Sequence, residues 1–428
     1  MPFPVFADGW IHGNGANLNG VPLSSIMRGF GDRLVWEFDL GNGERHSVSS
    51  VDMVHGGPSA ASAPRRLRRA LDELREDHAL NQAGFVSLWV TPDWNTSWYP
   101  PKDLQDALDG GLPPVFLDWF FGDGLLAGEP RANVPKVIDR YADHSRRFGR
   151  FLGQFDGDIL IVMEPELNKP SIEGWPEFGE IVRKHGIAQI RAGVEEINEV
   201  TGRKTNVFFG VALNDNGLRS ASMPDDVYGT KAQGDSYGWT LSRPLLEVLR
   251  PDLDFVGFQE LLGQFHRDPE HPARPTANTA EEIGLKHFAE RMVNYSNYLH
   301  AQLGIPIFIP YVGLATSTWS DRNGNGLIEQ GEIHALGWET EVGNVLSDLR
   351  NLEPALKDAG VFGLGTMSLF DDPVHDLGGY QYLLNNEYAL GLITTDAEDG
   401  VLGETFGAAL EPKRLGRASF VRLFFKKP

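Results

Sequence analysis

Cysteine is absent from this chain of 428 residues, so neither disulfide bonds nor thiolate metal sites can form. Uninterrupted apolar runs of about 18 residues, which a membrane-spanning helix needs, are also missing. The N-terminus MPFPVFADGWIHGNG has no basic segment followed by an apolar stretch, the pattern of a secretory signal peptide. From these absences we expect no membrane-embedded segment and no visible signal peptide.

Positive charge is scarce. The chain has 38 lysines and arginines against 59 aspartates and glutamates, which gives a net charge of −21 and a pI near 5.0. A protein without a net basic field does not attract phosphate groups, so we expect no nucleic acid and no anionic membrane as a partner.

Signature motifs of several enzyme classes are missing too. G-x-G-x-x-G and Walker A loops do not occur, so nucleotide-binding folds have no motif support. H-x-H and H-E-x-x-H are also absent, which leaves metal-dependent hydrolases without a motif.

The sequence does contain short apolar segments that alternate with amphipathic helical stretches. The apolar segments are residues 47–55, 84–94, 113–123, 158–166, 205–215, 253–261, 305–314 and 360–372. Apolar runs without polar alternation are typical of strands buried on both faces, as in a parallel sheet. The helical stretches are residues 64–80, 134–153, 177–200, 281–303 and 338–358.

Strands and helices in this alternation predict an α/β fold, a (β/α)8 TIM barrel. An open, doubly wound sheet is the alternative, although its glycine-rich phosphate turn is missing. Residues 1–46 are rich in glycine and asparagine, and we expect them to form an accessory N-terminal β segment. Residues 47–428 are predicted to form the barrel with a C-terminal tail.

Acidic, amide and aromatic residues are concentrated at the carboxyl ends of the apolar segments. They are His55, Asp93, Trp94, Asp118, Trp119, Glu164, Glu166, Asn214, Asp215, Gln259, Glu260, Tyr311, Asp371 and Asp372. In a barrel of this type the chemistry takes place at this end of the strands. Aromatic rings that stack on CH surfaces, beside acids that bond hydroxyl groups, suit a sugar polymer.

The end of the fourth segment, Met163-Glu164-Pro165, resembles the Asn-Glu-Pro that ends strand four in the large clan of retaining (β/α)8 glycoside hydrolases. The resemblance covers roughly residues 45 to 375 and implies that Glu164 is the general acid/base. At strand seven, where the clan carries its nucleophilic glutamate, this sequence has Tyr311, whereas strand six ends with Glu260.

Glycoside hydrolysis needs one protonated carboxyl group and one ionised carboxylate. Glu164 is the candidate for the acid, and Glu260, two strands round the barrel, is a candidate for the nucleophile or base. Glu166 is the other candidate, because residues two apart on an extended strand point the same way. Alternatively, Glu166 keeps Glu164 protonated or binds the sugar. Retention or inversion depends on the distance between the two carboxyl groups and stays open.

The remaining strand-end residues are predicted to bind substrate. They are Trp94, Asp118, Trp119, Asn214, Tyr311, Asp371, Asp372 and His55. The alternative for the tryptophans is a place in the core, and the alternative for His55 is a hydrogen-bonded histidine of the barrel. Tyr311 is also a candidate partner for the second carboxylate.

Residues 321–332, DRNGNGLIEQGE, match the EF-hand calcium loop D-x-[DN]-x-[DN]-G-x5-E. The predicted ligands of a structural Ca²⁺ are the side chains of Asp321, Asn323, Asn325 and Glu332 and the carbonyl of Leu327. Because only two of these ligands are acidic, we expect modest affinity, which favours a secreted or periplasmic location over the cytosol. A metal-free glycine-asparagine turn is the alternative.

These features favour a monomeric glycoside hydrolase that cleaves a polysaccharide or oligosaccharide, with endo action and a structural calcium ion. The alternative is a carbohydrate-binding barrel that has lost its nucleophile, and Tyr311 is the residue that favours it.

Overall fold

The structure of this chain is a computed structural model. It describes residues 16–17, 35–39, 45–49, 86–90, 92, 94, 96, 99, 101–109, 114–121, 133–165, 167, 177–215, 239–262, 288–314, 317–319, 333–335, 344–345, 348–349, 351–366, 393–395 and 410–412.

A closed barrel of parallel strands forms the centre of the fold. In chain order the strands are β1 (Ala16–Asn17), β2 (Val35–Asp39), β3 (Arg45–Ser49), β4 (Val86–Val90), β5 (Pro114–Asp118), β6 (Gly157–Met163), β7 (Thr205–Asp215), β8 (Phe255–Leu262), β9 (Ile307–Leu314), β10 (Ser317–Trp319), β11 (Ile333–Ala335), β12 (Val361–Thr366), β13 (Ile393–Thr395) and β14 (Leu410–Pro412). The order around the barrel is β1-β12-β9-β8-β7-β6-β5-β4. The pairs β2–β3, β10–β11 and β13–β14 form separate antiparallel sheets.

Helices connect several of the barrel strands. They are α1 (Pro101–Asp109), α2 (Val134–Leu152), α3 (Phe178–Ile181), α4 (Ala188–Thr201), α5 (Trp239–Leu249), α6 (Phe288–Leu303) and α7 (Glu353–Asp358). A π-helix, Val182–Ile187, joins α3 to α4, and a 3₁₀ turn, Arg250–Asp252, follows α5. None of the helices in the described part of the chain is long and apolar enough to cross a membrane.

The predicted strands after the first are confirmed as β4 to β9 and β12, because their apolar runs are buried on both faces of the barrel sheet. The first predicted strand, 47–55, is described only at residues 47–49, and these do not form a strand of the barrel. Residues 47–49 belong to β3, which pairs antiparallel with β2, and the barrel is closed by β1, which pairs with β4 and β12. The accessory N-terminal segment and the domain boundary at residue 46 stay predictions.

Helix α2 is an amphipathic helix that begins with a proline in its first turn, where a missing N–H leaves no hydrogen bond unmade. Its buried face includes Val137, Tyr141, His144 and Phe148, which recur at the three- and four-residue spacing of one helix side. This face packs toward the barrel strands, so α2 brings His144 and Tyr141 to the carboxyl end of β5.

An aromatic cluster fixes α2 against strand β5 and against Trp94, which follows strand β4. The rings of Trp94 and Phe148 are 5.5 Å apart, and those of Phe116 and Phe148 are 5.3 Å apart, both in edge-to-face contact. Phe151 lies 5.1 Å from Trp94. Edge-to-face pairs add to the stabilisation from burial alone, so this cluster anchors the helix.

Helices α2 and α4 approach closely at two glycines. A Cβ atom at Gly149 would collide with the carbonyl oxygen of Ile190, and a Cβ atom at Gly193 would collide with that of Arg146. Only a residue without a side chain permits this backbone contact. The position of α2 is therefore set on one side by the aromatic cluster and on the other by α4.

Candidate active site

Glu164 directly follows β6 and has an unusual backbone conformation. Its φ of 46° is the only positive value at a non-glycine residue in the described part of the chain. A side chain in this left-handed region costs about 1 to 3 kcal/mol and persists only where the surroundings hold it. The residue is 1% exposed, so the carboxyl group is held inside the protein at the carboxyl end of the fourth barrel strand.

Two hydrogen bonds tie Glu164 to the end of the neighbouring strand β5. The Glu164 N–H donates to the carbonyl oxygen of Asp118 at 2.8 Å. The N–H of Phe121 donates to the carboxylate Oε2 of Glu164 at 3.0 Å. The backbone of residues 118–121, hereafter the 118–121 segment, therefore contacts both the main chain and the carboxyl group of Glu164.

The side chain of Asp118 points away from the barrel interior. Asp118 is in register with Met163 of β6, and a Cβ atom at Gly186 of the π-helix would lie 3.0 Å from Met163 Cε. Side chains in register on neighbouring parallel strands lie on the same face of the sheet. Both side chains therefore face the helix layer. This orientation does not support the predicted contact between Asp118 and a sugar, which stays a prediction.

Asp118 forms a buried pair with His144 of α2. The imidazole Nε2 and carboxylate Oδ1 are 2.8 Å apart, and we assign the proton to Nε2, which then donates to the carboxylate oxygen. Asp118 is 0% and His144 4% exposed. A buried carboxylate is costly unless it is hydrogen-bonded, and His144 supplies that hydrogen bond.

Tyr141 lies beside both carboxyl groups. Burial raises the pKa of Tyr141 well above its usual value, and the neighbouring carboxylates of Glu164 and Asp118 raise it further. The hydroxyl group of Tyr141 therefore stays neutral at neutral pH. The ring of Tyr141 contacts the rings of Phe120 and Phe121, at 4.9 and 4.7 Å between ring centroids.

We expect Tyr141→Phe to leave the free energy of unfolding unchanged or to raise it by about 1 kcal/mol. The hydroxyl is buried, and no residue in the described part of the chain accepts or donates a hydrogen bond to it, so its removal relieves a desolvation penalty. Urea unfolding of both proteins measures the difference. A loss of more than about 2 kcal/mol would show that the hydroxyl has a stabilising partner.

The structure shows two of the predicted tryptophans as buried side chains. Trp94 packs edge-on against Phe148 and Phe151, and the guanidinium carbon of Arg147 lies 5.6 Å from the centre of its ring. The Trp119 side chain is also buried, and the backbone N–H of Trp119 donates to the carbonyl oxygen of Val90 at 2.8 Å. The packing of Trp94 is that of a core residue, so its role in substrate binding has no support from its contacts.

Three further predicted residues lie in barrel strands of which only the backbone is described at their positions. Asn214 is the last residue but one of β7 and is in register with Gln259. Glu260 of β8 is in register with Val312 of β9 after an irregularity that begins at Gly257. Tyr311 belongs to β9. The barrel order places Glu260 two strands from Glu164, as predicted.

The other predicted residues lie outside the described residues. They are His55, Glu166, Asp371 and Asp372, and the calcium ligands Asp321, Asn323, Asn325, Leu327 and Glu332. Their roles stay predictions.

Sequence reasoning missed His144 and Tyr141. Both occupy the buried face of an amphipathic helix, where a histidine and a tyrosine are ordinarily packing residues. The available signal was a titratable side chain on an otherwise apolar helix face that follows a strand ending in aspartate. Only the packing of α2 on the barrel shows that this face meets Asp118.

Comparison with known protein families and with curated proteins finds no match. Among solved structures, an exo-β-1,4-mannosidase from Opitutaceae bacterium strain TAV5 is 15% identical with a TM-score of 0.49, and the match covers 97% of this chain and 60% of the mannosidase. A β-glucosidase from Pyrococcus furiosus is 13% identical with a TM-score of 0.46, over 93% of this chain and 97% of that enzyme. A fungal β-1,4-galactanase is 10% identical with a TM-score of 0.42, over 96% of this chain and 99% of the other.

These similar structures are glycosidases, the class that the sequence resembles. Their TM-scores are all below 0.5 and their identities do not exceed 15%, so the function of this chain is argued from its own residues.

Proposed function

We propose that this chain is a glycoside hydrolase that cleaves a polysaccharide, with Glu164 as the general acid/base. The observation that carries the proposal is the placement of Glu164. A carboxyl group at the carboxyl end of the fourth strand of a closed parallel barrel is where such a fold carries its chemistry. Its burial and its left-handed backbone are typical of a functional residue that the surrounding structure holds in place.

The second carboxylate is assigned to Glu260, with Glu166 as the alternative. Support for Glu260 comes from its strand, which lies two places from that of Glu164 in the barrel. The break in strand register between Gly257 and Glu260 also supports it, because bulges re-aim side chains and are frequent beside active sites. Glu166 follows Glu164 by two residues in the sequence, so the chain itself, and not the arrangement of the barrel strands, limits the distance between the two.

Endo action on a soluble polysaccharide is tested by incubating the purified protein, with calcium present, with a panel of glucose, mannose and galactose polymers. We expect new reducing ends from one or two of the polymers, and a viscosity that falls before many reducing ends accumulate. A fall in viscosity proportional to the reducing ends would contradict endo action. Retention of the protein by a polymer without any cleavage would favour the carbohydrate-binding barrel, for which Tyr311 is the sequence argument.

A structural calcium ion in the loop 321–332 is part of the proposal. Strands β10 and β11 support it, because their antiparallel register, from Ser317 with Ala335 to Trp319 with Ile333, brings the two ends of the intervening chain together. Two paired strands hold both ends of the connecting loop together, which suits a loop that surrounds a metal ion. The residues that would hold the ion are the oxygen donors of the EF-hand pattern, and a calcium-rich compartment outside the cytosol suits their modest acidity.

Removal of calcium is expected to lower the melting temperature. At a calcium concentration about 100-fold above the dissociation constant, the bound ion contributes about 2.7 kcal/mol to stability, and a chelator withdraws this contribution. Melting with and without the chelator measures it, and Glu332→Gln should lose most of the response. An identical melting temperature in calcium and in chelator would contradict the calcium site.

A further inference from the structure

Three hydrogen bonds connect helix α2 to the carboxyl group of Glu164. His144 donates to the Asp118 side chain at 2.8 Å, the Asp118 carbonyl accepts the Glu164 N–H at 2.8 Å, and the Phe121 N–H donates to Glu164 Oε2 at 3.0 Å. We propose that Asp118 and His144 are positioning residues, which fix the 118–121 segment and through it the carboxyl group of Glu164. This inference rests on the proposed function of Glu164 as a general acid.

The stability of the fold alone does not explain the Asp118–His144 pair. Both side chains are buried, and a hydrogen bond between buried polar groups contributes little net stability because both groups lose their contacts with water. What the pair adds is direction, since a hydrogen bond fixes the distance and angle between two groups. The fixed group is the first residue of the segment that contacts Glu164.

Both ends of this connection are rigid. His144 is held because α2 is anchored by the aromatic cluster around Phe148 and by the close backbone contact at Gly149. At the other end, Glu164 keeps a left-handed conformation that needs outside support. Without the hydrogen bond from His144, the 118–121 segment keeps only ring contacts with α2, from Phe120 and Phe121 to Tyr141, which fix direction less closely than a hydrogen bond does.

Proton transfer is sensitive to such a loss. The donor must lie about 2.6 to 3.2 Å from the atom it protonates, and a misplacement of about 1 Å can lower the rate by about 100-fold. We expect His144→Leu to lower kcat by about tenfold or more with little change in KM. His144→Gln should retain most of the activity, because its amide nitrogen can replace Nε2 as a donor to Asp118.

A misplaced general acid and a loss of stability differ in how the hydrolysis rate depends on the leaving group. A dinitrophenyl leaving group departs without a proton because its negative charge is delocalised, whereas a phenyl leaving group needs protonation in the transition state. Loss of acid catalysis therefore slows the phenyl substrate far more than the dinitrophenyl substrate. A smaller folded fraction slows both substrates equally.

The test uses the full-length chain and the dinitrophenyl and phenyl glycosides of the oligosaccharide that the wild type releases. For His144→Leu we expect the ratio of phenyl to dinitrophenyl rates to fall about tenfold, and for His144→Gln we expect it to return toward the wild-type ratio. Asp118→Asn, which keeps an oxygen acceptor but loses the charge, should shift the ratio in the same direction by less and remains informative if His144→Leu does not fold.

An unchanged ratio in His144→Leu and Asp118→Asn, or an equal fall on both substrates, would overturn the positioning role while the wild type remains a hydrolase. Inactivity of the wild type on every polysaccharide of the panel is a different result, because it would overturn the proposed function and with it this inference.

Discussion

Replacing Glu164 by glutamine should lower kcat for polysaccharide hydrolysis by about a thousandfold, because general acid catalysis typically contributes about 10² to 10⁴. Glutamine keeps the shape of the side chain and an oxygen that can accept the Phe121 N–H but has no proton of suitable acidity to donate. Binding of the polysaccharide should persist, since the amide can still hydrogen-bond to sugar hydroxyl groups. The measurement is the rate of reducing-end release by the two proteins at saturating substrate.

Glu199→Gln is the matched control for this substitution. Glu199 is an exposed residue of α4, so the same chemical change there should leave kcat and melting temperature unaltered. If Glu164→Gln retained more than about a tenth of the wild-type kcat, Glu164 would not be the proton donor, and Glu166 would become the principal candidate.

The largest loss of stability is expected for Phe148→Ala, at about 3 to 5 kcal/mol. The side chain is completely buried and contacts Trp94 and Phe116 edge-on. Its removal deletes buried apolar surface and leaves a cavity between α2 and the barrel that rigid neighbours fill only in part. Guanidinium chloride unfolding, followed by tryptophan fluorescence, gives the difference in the free energy of unfolding.

Phe148→Leu and Val200→Ala complete that experiment. Leucine keeps much of the buried volume and should lose less than alanine does, whereas Val200, 82% exposed, should change stability by less than about 0.5 kcal/mol when shortened. A loss below about 1 kcal/mol for Phe148→Ala, with an unchanged dependence on denaturant, would contradict the packing of α2 on the barrel.

The strands that the sequence predicted correctly share one property. The strands 157–163 and 205–215 contain the continuous apolar runs 159–163 and 207–213, and burial on both faces of a parallel sheet requires such runs whatever their neighbours are. Helix α2 was predictable for a similar reason, since its buried residues recur with the helical period and a proline opens its first turn.

The elements that the sequence did not predict depend on contacts rather than on periodicity. Strand β1 is the two residues Ala16 and Asn17, too short to show an alternation, and it is defined only by its pairing with β4 and β12. The π-helix at 182–187 has the same coarse apolar spacing as an α-helix. Neither feature has a local signature.

The candidate site was predictable only in part. Glu164 was found from its place between an apolar strand and a proline, and Asp118 from the end of the preceding strand. The partner of Asp118 was not found, because His144 is 26 residues away and reaches it only through the packing of α2. The direction of the Asp118 side chain was not predictable from the sequence either. That this side chain faces the helix layer follows from its register with Met163.

The most direct test of the account compares the wild type with Glu164→Gln on the polysaccharide that the panel identifies. Each protein is assayed for new reducing ends and for retardation in a gel that contains the same polymer. The account predicts cleavage by the wild type, almost none by the variant, and equal retardation of both. Equal retardation without cleavage by either protein would contradict it and would establish a carbohydrate-binding barrel instead.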